Sequence, residues 1–160
     1  MTLDQFNAAD AAVAGATLLQ CCGSKRWAEA MLARRPLLDR DALFSNAESI
    51  WRTLEPGDWL EAFSAHPRIG EKKLSAWSFQ EQNGLHSASA QVLEQLAAGN
   101  QEYERQFGWI FLIQAAGKSA QAMLDSLRAR LTNPPEEELR IAAGEQAKIT
   151  ALRLNKLFDI

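Results

Sequence analysis

The sequence predicts an all-α protein, a single-domain bundle of about seven to nine helices that spans residues 1–160. Apolar residues recur at three- and four-residue steps along most of the chain, which is the helical period. Capping residues, prolines and glycines punctuate these segments. With 160 residues, 47% of them hydrophobic, the chain is long enough to bury one core.

Four helices are predicted in the first 65 residues, and their ends carry start or stop signals. They cover residues 2–23, 24–35, 39–55 and 58–65. Thr2 is a suitable N-cap for the first helix, because its hydroxyl can accept a hydrogen bond from the first turn. Pro36 ends the second. Pro56 and Gly57 interrupt the pattern, so Asp58 is predicted to cap the fourth helix.

The remaining helices are predicted over residues 78–85, 87–107, 119–131 and from 135 to near 158. Pro134 and Pro135 favour the start of the last one, and the glutamates at 136–138 are interpreted as capping residues that meet the positive end of its dipole. The apolar run at 107–116 is different. Without a partner strand in the sequence, it is interpreted as an extended segment that enters a helix. Its backbone amides then need acceptors, either a ligand or neighbouring side chains.

Composition excludes several classes of function. The formal net charge of −3 leaves no basic stripe for nucleic acid. No apolar run reaches the length that spans a membrane. The first ten residues lack the features of an export signal, and the adjacent Cys21 and Cys22 cannot build a disulfide framework. We therefore expect a cytoplasmic protein.

Two motifs suggest a cofactor or metal and fail on inspection. The stretch AGKS at 116–119 lacks the earlier glycine of a phosphate-binding loop. His66 and His86 are not at a helical ligand spacing for zinc, and the neighbouring cysteines do not complete a tetrahedral site. The sequence therefore predicts neither a cofactor nor a metal, and His86 is interpreted as a surface residue.

His66 stands in the motif HPRIG, residues 66–70. Pro67 restrains the backbone of the histidine to an extended conformation, and Gly70 permits a tight reversal. Such a turn can present an imidazole, which titrates near neutral pH, at the mouth of a cleft. A histidine on an ordinary surface turn explains the pattern equally well.

Two further groups of polar residues are candidates for binding. Ser78, Glu81 and Gln82 share one face if their segment is helical, and together they could bind a flat, nitrogen-rich ligand. A solvated helix face is the alternative. Arg153 lies among apolar residues of the last predicted helix and suits a carboxylate or a ring carbonyl, with a surface ion pair as the alternative. The five tryptophans are expected to anchor the core and interfaces.

Four sequence blocks together resemble the 2-oxo-4-hydroxy-4-carboxy-5-ureidoimidazoline (OHCU) decarboxylase family, whose members complete the conversion of urate to allantoin. They are HPRIG, S-x-x-E-Q-x-G, FGWIFLIQAAGKS and E-x-x-KI-x-x-LRL-x-x-L, in family order and over nearly the whole chain. The resemblance implies an all-α fold, a carboxy-lyase that needs no cofactor, and (S)-allantoin as product. Two departures concern the pocket: many members have HPDLAG in place of HPRIG, and FGFPF in place of FGWIF.

By this resemblance His66 and Glu81 are the catalytic residues. The implied substrate-binding residues are Pro67, Ser78, Phe79, Gln80, Gln82, Phe111, Leu112, Ile113, Gln114, Ala115 and Arg153. His66 would move the hydroxyl proton and protonate one face of the decarboxylated ring. Glu81 and Gln82 would hold ureido N–H groups. Arg153 and the amides of 111–115 would meet ring or ureido oxygens, where charge arrives.

Two other interpretations stay open. A ureide or imidazoline hydrolase could use the same His–Glu pair to activate water. A non-catalytic helical module could instead bind a partner through exposed tryptophans. For the enzyme we expect a small-molecule substrate and no nucleic-acid or membrane partner. A homodimer is a possible assembly.

Overall fold

The computed structural model describes residues 1–71 and 75–158. Within these residues the chain forms nine α-helices, one short 3₁₀ helix and no strand, which confirms the all-α prediction. The helices are α1 Leu3–Ala8, α2 Ala11–Cys21, α3 Lys25–Leu32, α4 Arg40–Thr53, α5 Pro56–Ser64, α6 Ala76–Glu81, α7 Ala90–Phe107, α8 Ala120–Arg130 and α9 Pro135–Leu157; the 3₁₀ helix is Asn83–Leu85. None of the described helices has the length and apolar character needed to cross a membrane.

The chain divides into two compact units. The N-terminal unit comprises residues 1–65 together with the segment that starts at Gln146, and the central unit comprises His66–Glu145. The division between them falls inside α9. The single domain expected for residues 1–160 stays a prediction.

The first predicted helix is wrong in one respect, because residues 2–23 form two helices. Thr2 caps α1 as expected, and its hydroxyl accepts a hydrogen bond from the Gln5 amide at 3.2 Å. The chain then becomes extended at Ala9, with φ −69° and ψ 152°. The Arg35 guanidinium donates to the carbonyl oxygens of Phe6 and Ala9 at 3.0 and 2.7 Å, and so supplies donors for carbonyls at the end of the broken helix. This contact joins residues far apart in sequence, so local patterns cannot reveal it.

The predicted cap of α5 is also wrong. The helix begins at Pro56, which occupies the first turn, and its N-cap is Glu55. Asp58 lies in the third helical position, where its Oδ2 accepts a hydrogen bond from the Glu55 amide at 3.2 Å. The predicted break before Pro56-Gly57 is confirmed, since α4 ends at Thr53. Proline needs no amide partner in the first turn, so the dipeptide itself begins α5.

The tryptophans of the N-terminal unit serve its core. Trp27 is fully buried and Trp51 is 5% exposed, while Trp59 is half-buried. The indole N–H of Trp27 donates to the Ala47 carbonyl at 3.1 Å, and that of Trp59 to the Trp51 carbonyl at 3.0 Å. Trp77 and Trp109 of the central unit are half-buried as well. The core role is therefore confirmed for Trp27 and Trp51, while an interface role for the others stays a prediction. None of the five is exposed, which does not favour the binding-module interpretation.

In the central unit, α7 and α8 pack closely at Gly99. A Cβ atom added at Gly99 would lie 2.7 Å from Cδ2 of Leu127, so the glycine lets the leucine side chain approach α7 closely. The helix α7 ends at Gly108, whose φ of +87° turns the chain out of the helical path. Residues 110–115 that follow have no regular secondary structure, which confirms that the apolar run is not helical. Its side chains enter the core of this unit, with Phe111 at 2% and Ile113 at 4% exposure.

Candidate functional site

The HPRIG motif forms a turn at the start of the central unit. Gly70 has φ +86°, as the sequence predicts for a reversal, and the Glu71 amide donates to the Arg68 carbonyl at 3.1 Å. His66 and Pro67 precede this turn, and both are half-buried.

Four hydrogen bonds join the turn to its surroundings. The Arg68 guanidinium binds both carboxylate oxygens of Glu104 on α7, at 2.8 and 2.9 Å. The Asn100 amide, also on α7, donates to the Ile69 carbonyl at 3.0 Å. The Gly70 amide donates to Oε1 of Gln82 at 2.9 Å. The last bond joins the turn that carries His66 to the end of α6.

The helix α6 presents its candidate residues on one buried face. Ser75 caps it, accepting from the Ser78 amide at 3.1 Å, one turn before the predicted start at residue 78. Ser78, Glu81 and Gln82 are 4%, 8% and 4% exposed. The shared face is therefore confirmed, and the solvated face is wrong.

Phe79 and Gln80 lie on the opposite, exposed side of α6. Phe79 is 56% exposed, and its ring stacks on that of His86 with centroids 4.3 Å apart. His86 itself is exposed, as predicted. Its Nδ1 is 3.0 Å from the side-chain oxygen of Asn83. These two rings cover solvent-facing surface of the 3₁₀ helix and α6, and the buried face of α6 belongs to Ser78, Glu81 and Gln82.

Charged side chains hold the backbone of the segment 111–115. Nη1 of Arg130 donates to the Leu112 carbonyl at 2.7 Å, and Nζ of Lys118 donates to the Gln114 carbonyl at 2.7 Å. The Gln114 amide donates to a carboxylate oxygen of Glu145 at 3.3 Å. Neighbouring side chains therefore satisfy three backbone groups of the segment. For the N–H groups of Ile113 and Ala115, no acceptor occurs among the described residues.

Arg130 belongs to a buried polar network that the sequence did not reveal. Its Nε and Nη2 donate to the carboxylate of Glu138 at 2.8 to 3.0 Å, and Glu138 is fully buried. The Tyr103 hydroxyl donates to the same carboxylate at 2.5 Å. The capping role expected for Glu138 is thus wrong. The available signal is the helical period, since Arg130 follows Leu127 by three residues on the apolar face of α8.

The network shifts the titration of its members. Burial works against the charge of Arg130, yet the hydrogen bonds and charge of Glu138 outweigh it and raise the arginine pKa. Burial, together with the bond to Glu138, also raises the pKa of Tyr103. Arg130 therefore stays charged and Tyr103 stays a neutral phenol across the neutral range.

Arg153 lies in the N-terminal unit. It is 9% exposed, and its Nη1 donates to the Gln20 carbonyl at 3.2 Å, so its side chain does not lie on the surface. Cys21 and Cys22 are buried free thiols in the same unit. Burial raises the pKa of Cys21 to about 12 and that of Cys22 to about 11. Both stay protonated at neutral pH, so neither is an activated nucleophile.

The two rejected motifs have structural explanations. Ser119 of AGKS caps α8, accepting from the Ala122 amide at 3.1 Å, and Lys118 turns back onto Gln114. A phosphate-binding loop would need these groups for a ligand. In the described part of the chain, no three His, Cys, Asp or Glu side chains are grouped so that they could hold a metal ion.

Comparisons with known proteins agree with this geometry. The profile of the OHCU decarboxylase family matches residues 7–155. The chain is 42% identical over 148 residues to the uric acid degradation bifunctional protein TTL of Arabidopsis thaliana, covering 87% of this chain and 45% of the relative. It is 31% identical over 137 residues to the putative OHCU decarboxylase of Homo sapiens, covering 81% and 79%.

One solved structure, of OHCU decarboxylase in the presence of (S)-allantoin, superposes with a TM-score of 0.80 at 41% identity and covers 89% of this chain and 96% of that chain. The chain spans about a quarter to a half of the bifunctional curated relatives that it matches. Because the family profile extends over nearly the entire sequence, the chain belongs to the OHCU decarboxylase family.

Proposed function

We propose that this protein decarboxylates OHCU to (S)-allantoin without a cofactor. The observation that carries the proposal is the 2.9 Å hydrogen bond between the Gly70 amide and the Gln82 side chain. It joins the turn that bears His66 to the buried face that bears Glu81, in a chain of this family. The bond joins Gly70, four residues after His66, to Gln82, next to Glu81, and an imidazole and a carboxylate on two linked segments suit proton transfer on a small polar ring.

The reaction needs an electron sink and a proton. The bond between the ring carbon C4 and its carboxylate breaks, CO2 leaves, and the electron pair moves into a C4–C5 double bond. The former C5=N bond takes up charge on nitrogen and, by conjugation, on the ring carbonyl oxygen, and a proton from solvent neutralises it. The C4 hydroxyl then gives up its proton and becomes a carbonyl, and C5 gains a proton. Catalysis therefore requires groups that stabilise charge on the ring as CO2 departs.

We assign the proton movements to His66. It accepts the hydroxyl proton and delivers a proton to one face of C5, and delivery from one side yields one enantiomer. Glu81 and the amide of Gln82 bind the ureido N–H and C=O groups and orient the ring. The N–H groups of Ile113 and Ala115 would donate to ring oxygens; the absence of acceptors for them among the described residues supports this role.

Several assignments rest on the sequence resemblance alone. They are the substrate contacts of Pro67, Ser78, Phe79, Gln80, Phe111, Leu112, Gln114 and Arg153. We also propose a cytoplasmic location and no nucleic-acid or membrane partner, which the composition supports, and a homodimer as the assembly to be tested. For Phe79 and Gln80, whose side chains face solvent, a substrate contact would run through the backbone.

The experiment that tests the proposal is product analysis. The protein is mixed with freshly oxidised urate that carries a label on the ring carbon that becomes the carboxylate of OHCU. Released CO2 and optical rotation are followed together. We expect labelled CO2 and the rotation of (S)-allantoin, both faster than the spontaneous reaction. Turnover without accelerated CO2 release would favour the hydrolase and overturn the proposal.

A further inference from the structure

Three consecutive peptide groups between Leu112 and Ala115 are each held by a charged side chain. Arg130 binds the Leu112 carbonyl, Glu145 binds the Gln114 amide, and Lys118 binds the Gln114 carbonyl. The apolar side chains of this segment do not by themselves require charged residues at its backbone. Core residues do not need their backbone aimed to a fraction of an ångström, whereas hydrogen-bond donors for a reacting group do.

The two cations fix the direction of two particular N–H groups. All peptide bonds of the described segment are trans, so the C=O and N–H of one peptide point in opposite directions. The carbonyl of Leu112 points at Arg130, and the N–H of Ile113 therefore points away from Arg130. By the same geometry the N–H of Ala115 points away from Lys118. Neither N–H has an acceptor among the described residues, which is rare for buried backbone.

We propose that Arg130 and Lys118 are positioning residues, which aim the N–H groups of Ile113 and Ala115 at the substrate oxygen where charge accumulates during CO2 loss. This inference rests on the proposed function. A cation at the carbonyl oxygen also polarises the peptide, since linked hydrogen bonds strengthen one another in a medium of low dielectric constant. Each N–H then becomes a better donor to a developing negative charge.

The surroundings of Arg130 fit this role. The guanidinium is itself fixed, by three hydrogen bonds to Glu138 and by the Phe111 ring, whose centroid lies 4.7 Å from its central carbon. A buried ion pair is a weak source of stability, because burying two charges offsets their attraction. Because this ion pair is rigid, however, it fixes the orientation of the peptide group between Leu112 and Ile113. Lys118 is held likewise, because its Nζ also bonds Oε1 of Gln114 at 2.9 Å.

The first test is Lys118→Met, with Lys25→Met on the exposed surface as the matched control. Because the misaimed donors act on charge that develops only in the transition state, we expect kcat to fall by at least about tenfold while KM changes less than about threefold. The control keeps both constants. A merely structural lysine would lower the amount of folded protein without this split.

The second test compares Arg130→Lys with Arg128→Lys, an exposed arginine on the same helix. The paired replacement Arg130→Met with Glu138→Leu removes the hold on Leu112 and also the buried charges, so it preserves the fold better than a single truncation. Activity is expressed per folded molecule, with the folded fraction measured by circular dichroism. For both Arg130 variants we expect the same loss of kcat, together with faster hydrogen–deuterium exchange in residues 111–115.

The outcomes separate this inference from the proposed function. If the parent protein releases no CO2 from OHCU, the proposed function fails, while the exchange rates still report on the positioning of the segment. If the parent is active and the Lys118 and Arg130 variants keep kcat within about twofold per folded molecule, the positioning role is overturned. Failure of both Arg130 variants to fold, with normal kinetics for Lys118→Met, would overturn it as well.

Discussion

A buried carboxylate on a helix of six residues is the most informative single side chain of the central unit. Glu81 is 8% exposed, and it shares its face with Ser78 and Gln82. Charged groups are rarely buried unless a partner or a function retains them. The polar face of α6 therefore supports a ligand-facing role for this glutamate better than a role in solubility.

Replacement of Glu81 with glutamine tests that role, because the shape is kept and the charge is lost. We expect kcat/KM to fall by about a hundredfold or more, in the range of general acid–base and charge effects. Steady-state assays with enzymatically generated OHCU measure it. Glu94→Gln, the same change at an exposed position of α7, serves as control. Equal kinetics of the two variants would make Glu81 a scaffold residue.

At the residue scale, the sequence could predict positions whose signal is local. The i, i+3, i+4 spacing placed Ser78, Glu81 and Gln82 on one face, and Gly70 indicated the turn after His66. It could not predict the Arg130–Glu138 pair, whose partners come from different helices. The sequence also could not predict that Lys118 of the AGKS stretch binds the segment 111–115, because this lysine donates to the backbone carbonyl of Gln114.

At the scale of elements, the closest backbone approach near the site lies between the 3₁₀ helix and the segment before α8. A Cβ atom at Gly84 would lie 2.0 Å from the carbonyl oxygen of Lys118. Backbone cannot retreat as a flexible side chain can. The glycine therefore permits the contact that fixes the peptide next to Lys118.

Gly84→Ala should accordingly destabilise the protein by about 1–3 kcal/mol, the usual cost of overpacking. Gly57→Ala is the matched control, since a Cβ atom there meets nothing within 4 Å and the position is helical. It should be neutral or slightly stabilising. Urea unfolding curves compare the two. If both variants unfold at the parent's midpoint, the packing at Gly84 is looser than described.

Helix boundaries show where element-level prediction succeeds and fails. Thr2 caps α1 as expected, and the helices predicted to begin near Ser24 and Asp39 do begin there, because capping is a local interaction. The break at Ala9 was missed because a distant arginine satisfies the exposed carbonyls. Residues 110–115 were predicted as an extended, non-helical segment. The side chains that bind its backbone were not predicted, because Lys118, Arg130 and Glu145 come from later in the chain.

For the molecule as a whole, the adjacent buried thiols predict how stability depends on pH. The pKa of Cys21 is raised to about 12 and that of Cys22 to about 11, from an ordinary value of 9.0. Above pH 9 the unfolded chain loses these protons while the native protein keeps them. The stabilisation is thus complete below pH 9 and is lost as pH rises toward the folded pKa values.

We expect the free energy of unfolding to fall between pH 9 and pH 10, with a slope that approaches about 1.4 kcal/mol per pH unit for each thiol. Guanidinium unfolding at several pH values in a reducing buffer measures it. The slope should shrink in the double variant Cys21→Ala with Cys22→Ala. A parent whose stability is flat across this window would show that the thiols are accessible to solvent.

The central claim concerns the whole molecule, and the chain offers its own control because it has only two histidines. The most direct measurement is therefore the rate of (S)-allantoin formation from OHCU by His66→Ala and His86→Ala, followed by circular dichroism of the product. The account predicts that the first variant loses about a hundred- to ten-thousandfold in kcat with its helical spectrum intact, while the second keeps the parent's rate. A folded His66→Ala protein that forms (S)-allantoin at the parent's rate would contradict it.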